Sequence, residues 1–405
     1  MTAAPSLHSM HSVERDKPRS RAQRIAYYLP LTILMVAVLV MTIIGLGARQ
    51  ATRAEAAQQQ ETALAQPSQS STLPDSCVSP GFPTHPADLW TGEQTAASEA
   101  AFAAHPDVLG MRAEGRDGFE FWGDAQSYNI SQALGRAPWL DSQLAQWLTY
   151  FGDLDAKLRE DGRELLIVVA PAKWELYRDK LPEWTDALQG KTHLEQFLEH
   201  SGELPVVDVR AAMRDAKQDA PVYSAVNTHW TPFGAYAAWE QTVLCASALY
   251  PDSVWSQLQL PATEGVELST APNEFTAYGS TATADDWATP VLPAGDPIQS
   301  TITGADGVKR DGPVDGSVGL LEMPALTQSP SGIGRALIMR DSMGEALAPA
   351  WAQAFEQTCQ VRHMLDYPDQ RPDVVAEAEK CDADTVLYIF TERYFAQMPP
   401  TVPVG

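Results

Sequence analysis

Residues Arg335–Gly344 read RALIMRDSMG, a short apolar run that closes on a charged pair and a serine. The five residues Arg335–Met339 have the length and flanks of a buried strand, and a helix is predicted over Gly344–Gln357 directly after it. A serine at the carboxyl end of a parallel strand, where a helix begins, sits where ligands bind in open α/β sheets. Its backbone N–H and the positive end of the helix dipole would face a developing oxyanion. The same position is a standard place for a serine N-cap, so Ser342 reads either as a nucleophile or as a cap.

Working outward, the same alternation repeats. Asp141–Glu160 carries apolar residues at helical spacing, and Glu164–Ala170 (ELLIVVA) is a buried strand ending at Pro171. PVVDV, which contains Asp208, is a second short strand, Pro232 to about Tyr250 a helix, and Thr385–Phe390 (TVLYIF) a further strand. This order predicts a three-layer α/β/α domain with a parallel sheet. Between residues 251 and 334 the alternation stops and Gly, Pro, Thr and Asp become frequent. Such an insertion is either a lid or binding surface, or a solvated decoration.

A second chemical feature is Ser224–Gly234, SAVNTHWTPFG, with His229 just before a proline-initiated helix. A histidine in that place suits a general base for a serine elsewhere in the fold, and Asn227 is close enough along the chain to orient it. The alternative is a histidine packed against Trp230 and satisfied by backbone.

Asn-Thr-His-Trp-Thr-Pro-Phe-Gly, followed about a hundred residues later by Arg-Asp-Ser-Met-Gly, resembles the alginate O-acetyltransferase family, the AlgX/AlgJ-type SGNH hydrolase-like domain. GRDGFEFWGD from Gly115, VVAPAKWELYRDKLP from Val168, VVDVRAAM from Val206 and VLYIFTERYF from Val386 agree, so that the resemblance spans roughly Ala113 to Phe395. It implies Ser342 as nucleophile, His229 as base and position 227 as the residue that orients the base. The family pattern there is usually Asp, and this chain has Asn227. An Asn carbonyl can fix the imidazole tautomer but cannot offset an imidazolium charge; in serine proteases that exchange lowers kcat by about 10⁴. A substitute carboxylate from elsewhere in the chain would restore that charge, Asp208 being one candidate. Arg340 stands where Gly often precedes Asp-Ser. Arg393, Tyr394, Trp230 and Asp341 are candidate substrate-binding residues, with a surface Glu392–Arg393 pair as the alternative for the tail. With its anchor, and ending at Gly405, the chain is closer to the AlgJ type than to the AlgX type, which carries a further carbohydrate-binding module.

Ile25–Ala48 contains no charge over 24 residues, enough for a membrane-spanning helix. A cleaved signal would normally have a shorter apolar region. Arg15, Lys17, Arg19, Arg21 and Arg24 outnumber Glu14 and Asp16, which predicts a cytoplasmic tail (1–24), a single-pass anchor (25–48) and a flexible linker (49–84). The domain 85–405 then lies outside the cytoplasm, with the insertion at 251–334. There Cys77, Cys245, Cys359 and Cys381 are expected to form two disulfides. Of three possible pairings, Cys77–Cys245 with Cys359–Cys381 is favoured, because the first would pin the end of the linker to the domain.

A net charge of −24 disfavours nucleic acid, and likewise a polyanionic glycan, as a partner. No phosphate loop or metal-ligand spacing is visible, and no cofactor is implied. The resemblance implies transfer of an acetyl group through a serine acyl-enzyme to an extracytoplasmic polysaccharide, supplied by a membrane-bound O-acyltransferase. A carbohydrate acetylesterase using the same residues and a catalytically weakened glycan-binding or scaffold protein are the alternatives.

Overall fold

The computed structural model describes residues 92–293, 299–313 and 323–401, with Arg21 and Cys77. The chain divides into Met1–Ala65 and Gln66–Gly405, and apart from Arg21 every described residue lies in the second unit. The predicted anchor at 25–48, and the tail and linker apart from Arg21 and Cys77, fall outside the described residues. No helix among the described residues is long and apolar enough to cross a membrane.

After a helix over Gly92–Ala104 comes a two-stranded hairpin, β1 (Arg112–Glu114) with β2 (Glu120–Trp122). The main sheet uses β3 (Glu164–Ala170) and β4 (Val206–Val207). The segment after the helix Pro232–Leu249 supplies β5 (Gly265–Ser269), β6 (Trp287–Val291), β7 (Gln299–Thr303), β8 (Lys309–Pro313) and β9 (Ala325–Gln328). The chain then adds β10 (Arg335–Arg340), β11 (Gln357–Arg362) and β12 (Thr385–Thr391). The main sheet has the order β4-β3-β12-β10-β11-β9-β7-β8. Its first five strands are parallel, and β9, β7 and β8 join antiparallel, so the sheet is mixed and not the parallel one predicted.

Alternation along the central strands makes the two faces. Leu166, Val168, Ile338, Leu387 and Ile389 share a core with Trp239 and Ala235 of the helix Pro232–Leu249. On the opposite face the rings of Tyr388 and Phe390 meet Phe151 and Trp147 of the helix Asp141–Glu160. The helix Asp141–Glu160 starts where Gln143 accepts from the Leu140 N–H at 2.9 Å and ends with Lys157 and Arg159 beside its negative pole.

One expectation fails locally, and one of the two readings of the insertion does not fit. The helix predicted over Gly344–Gln357 is a 3₁₀ turn, Ser342–Leu347, followed by only seven α-helical residues, Ala348–Ala354, and the chain then enters β11. The insertion is also no decoration, because β7, β8 and β9 extend the main sheet while β5 and β6 form a separate hairpin. The run Gln299–Thr303 is β-like in the sequence itself, whereas Lys309–Pro313 has no apolar alternation and Ala325–Gln328 is only four residues long.

Disulfides join Cys77 to Cys245 and Cys359 to Cys381. The first fixes Cys77 to the helix that follows His229, and the second ties β11 to the helix Val374–Cys381.

Ile338 lies fully buried in the middle of the sheet. Ile338→Ala is expected to lower stability by about 2–5 kcal/mol through lost burial and a residual cavity, read as a lower midpoint in urea unfolding.

Candidate active site

β10 delivers Asp341 and Ser342 to the carboxyl edge of the sheet. Asp341 is fully buried and acts as a clamp: Oδ1 accepts from the Met343 N–H at 2.8 Å, and Oδ2 from the Thr391 N–H at 2.9 Å and its hydroxyl at 2.7 Å. Burial alone would raise its pKa, but His363, Arg393 and Thr391 outweigh that and hold it well below the usual carboxylate range. The turn is tight, since a Cβ at Gly344 would lie 2.4 Å from Cδ of Arg340. The Arg340 guanidinium donates to Gln360 at 2.8 Å and to the Asp341 carbonyl at 2.9 Å, and burial pushes it down to about 10.

His229 arrives on the segment between β4 and the helix Pro232–Leu249. The helix begins cleanly because Thr231 caps the Gly234 N–H at 3.1 Å and Pro232 occupies its first turn. A Cβ at Gly234 would meet the Val222 carbonyl at 2.5 Å, so only glycine allows the helix to approach that backbone. Tyr223 and Trp230 form a β-bridge, and the Trp230 indole N–H donates to the Met343 carbonyl at 2.7 Å. The histidine and serine segments are thereby locked to each other.

His229 Nε2 stands 2.9 Å from Ser342 Oγ. On the other side of the ring, Nδ1 is 3.0 Å from Glu274 Oε2 and 3.1 Å from Asn227 Oδ1. With the proton on Nδ1, donated toward these oxygens, Nε2 is left to accept from the serine hydroxyl. Glu274 comes from the loop between β5 and β6. Its Oε1 accepts from the Thr228 N–H at 2.9 Å and from the Thr228 hydroxyl. Burial tends to raise its pKa, but His229 and Thr228 together lower it. Asn227 is mainly a brace: Oδ1 accepts from the His229 N–H at 2.8 Å, and Nδ2 donates to the Pro272 carbonyl at 2.7 Å.

The structure therefore brings Ser342, His229 and Asn227 together, and corrects the expected substitute carboxylate. Asp208 receives Arg210 through Nε at 2.9 Å and Nη2 at 2.8 Å, whereas Glu274 is the carboxylate that reaches the imidazole. The only signal for such a residue was the Asn at position 227, and no spacing singles out Glu274 among the acids of the insertion. Three of the four candidate substrate residues, Trp230, Asp341 and Tyr394, are buried, while Arg393 is half-buried with its guanidinium 5.4 Å from the Tyr394 ring. Glu392 does not pair with Arg393 on the surface; it is buried and accepts from the Ala172 N–H at 2.9 Å. Burial and nearby Glu175 push it well above the usual carboxylate range.

Residues 130–313 match the family model described as SGNH hydrolase-like domain, acetyltransferase AlgX. The AlgX-type resemblance therefore holds over a stretch that includes Asn227, His229 and Glu274 and stops before Ser342. No curated protein matches the chain in sequence. Among solved structures, PatB1 from Bacillus cereus is 15% identical, with 64% of this chain and 93% of that chain covered and a TM-score of 0.45. The O-acetyltransferase domain of Pseudomonas putida AlgJ is 17% identical, with 71% and 93% covered and a TM-score of 0.41. Pseudomonas aeruginosa AlgX is 16% identical, with 75% and 67% covered and a TM-score of 0.40.

Because the folded pKa of Glu274 is depressed, its pairing stabilises the fold fully above the ordinary carboxylate range and less as pH falls through the folded value. Glu274→Gln is expected to be less stable than the parent by roughly 1–3 kcal/mol near neutrality, and chemical unfolding across pH should show the two proteins converging on acidification.

Proposed function

From the AlgX-type match over residues 130–313, we propose that this protein is a serine O-acyltransferase that moves an acetyl group onto a hydroxyl of a polysaccharide. The observation that carries this reading is the chain of contacts from Ser342 Oγ through His229 to Glu274, at 2.9 Å and 3.0 Å. His229 Nε2 takes the serine proton as Oγ attacks the acetyl carbonyl of the donor. The tetrahedral intermediate collapses, the donor oxygen leaves with the proton from Nε2, and acetyl-Ser342 remains. A sugar hydroxyl then gives its proton to Nε2 and attacks the acetyl carbon, and the Ser342 oxygen recovers the proton as it departs. Glu274 offsets the imidazolium charge formed in both halves, which Asn227 cannot do.

With a carboxylate at His229, the weakened scaffold reading loses the feature that suggested it. Water in place of the sugar hydroxyl gives the acetylesterase reaction on the same residues. Arg393 is the remaining candidate for an acceptor contact. The strongly acidic chain favours a neutral glycan over a polyanion. The reading keeps the domain tethered outside the cytoplasm by the charge-free stretch at 25–48, close to a membrane-bound O-acyltransferase that supplies acetyl groups.

Incubation of the protein with p-nitrophenyl acetate, followed by intact mass, tests the proposal. The parent should gain one acetyl group that Ser342→Ala does not, and Glu274→Gln should acylate about 10³–10⁴-fold more slowly. Asn227→Asp should give no comparable acceleration, because Nδ1 already faces a carboxylate. Absence of an adduct on the parent would sink the acyl-enzyme mechanism.

A further inference from the structure

Lys173 follows β3 and Pro171 and opens the short helix Lys173–Leu176. Its side chain is 1% exposed. Nζ donates to the Ser224 carbonyl at 3.1 Å and to the Ala225 carbonyl at 2.9 Å, both on the segment that leads to His229. The rings of Phe121, Phe119 and Phe275 surround it, their centroids 4.9, 5.6 and 5.9 Å from Nζ. Ala225 is held on both sides, its carbonyl also accepting from the Glu120 N–H at 2.8 Å and its own N–H donating to Asp286 at 2.7 Å.

Two neutral carbonyls do not by themselves justify burying an ammonium, since an amide donor satisfies them without the desolvation of a charge. The charged groups around it supply the reason. The charges of Glu274 and Asp286, on the loop between β5 and β6 that also brings Phe275 to it, and of Glu120 on β2, paired with Arg112, draw on it. Oε2 of Glu120 and Oδ1 of Asp286 are buried without a hydrogen-bond partner among the described residues, so this pocket holds more negative charge than its hydrogen bonds consume. Glu274 is the same carboxylate that receives His229 Nδ1.

We propose that Lys173 is a positioning residue for the His229–Glu274 pair: it fastens the Ser224–His229 segment to the end of β3 and, by drawing on the Glu274 charge, sets how basic His229 is. The inference builds on the acyl-enzyme reading. Burial pushes Lys173 down to about 7 against the pull of Glu274, Asp286 and Glu120, so it gains its charge over the same pH range in which a histidine does. Two cations then compete for Glu274. Removing the ammonium leaves more of the Glu274 charge to His229, which raises the pH at which the imidazole loses its proton.

The test is histidine-selective NMR titration of the full-length protein, with His229 assigned through His229→Ala. Lys173→Gln keeps a donor for the two carbonyls but no charge, and should move the His229 midpoint upward by about 0.5–1 pH unit. The acid limb of Ser342 acylation should move in the same direction, and Lys173→Arg, which stays charged throughout the titration, should move the His229 midpoint the opposite way. A role in packing alone would lower the melting temperature and leave the midpoint in place, and that result overturns the proposal. If Lys173→Gln does not fold, the parent protein decides the matter: the Lys173 ε-methylene and the His229 ring should show reciprocal inflections in one titration, and independent curves refute the coupling. The titration needs no turnover, so a parent that forms no acetyl adduct overturns the acyl-enzyme mechanism without touching this result.

Discussion

The site depends on one hydrogen bond between two distant parts of the chain, the Trp230 indole N–H to the Met343 carbonyl. Both residues are buried, so breaking the bond would leave a polar group without water, which makes the contact costly to lose and directional. Trp230 follows His229 and Met343 follows Ser342. Fixing those two neighbours fixes the separation of the imidazole and the hydroxyl, and the β-bridge from Tyr223 holds the opposite side of the tryptophan. The Trp230 side chain is the bolt between the histidine and serine segments.

Around that bolt the structure places charge where local hydrogen bonds sustain it. Asp341 stays ionised in a fully buried position because His363, Arg393 and Thr391 outweigh its desolvation, and its bonds from Met343 and Thr391 join the serine turn to the end of β12. Glu274 is shared between Thr228 and His229 in the same manner. A second buried cluster, with Glu392 on Ala172 and Asp208 on Arg210, braces the ends of β3, β4 and β12 and lies apart from the imidazole contacts. Similar residue types thus serve different ends according to what donates to them.

The stretch from 251 to 334 acts as part of the machine. Asp286 caps Ala225, the Pro272 carbonyl holds Asn227, and Glu274 completes the contacts of His229, while β7, β8 and β9 lengthen the main sheet. Phe275, next to Glu274, is fully buried and packs edge-on against Trp122 at 4.9 Å, which anchors the loop at the hairpin. A carboxylate on such a loop is as fixed as one on a strand, because both its neighbours and its own oxygens are committed.

By itself the sequence determined the central strands, the serine at the end of β10 and the histidine ahead of the helix Pro232–Leu249. Each of these is written locally, as an apolar run with its flanking turn, a Thr-Pro helix start, or a residue placed at a strand end. The parallel part of the sheet and the three layers follow from the same runs. Only the tertiary structure decided which carboxylate meets His229, because that contact joins residues 45 apart on a loop whose sequence has no period. The same holds for Lys173, which reaches carbonyls 51 and 52 residues away. Hydrogen-bond partners across such separations are chosen by how loops pack in three dimensions, and a string of residue types does not contain that packing.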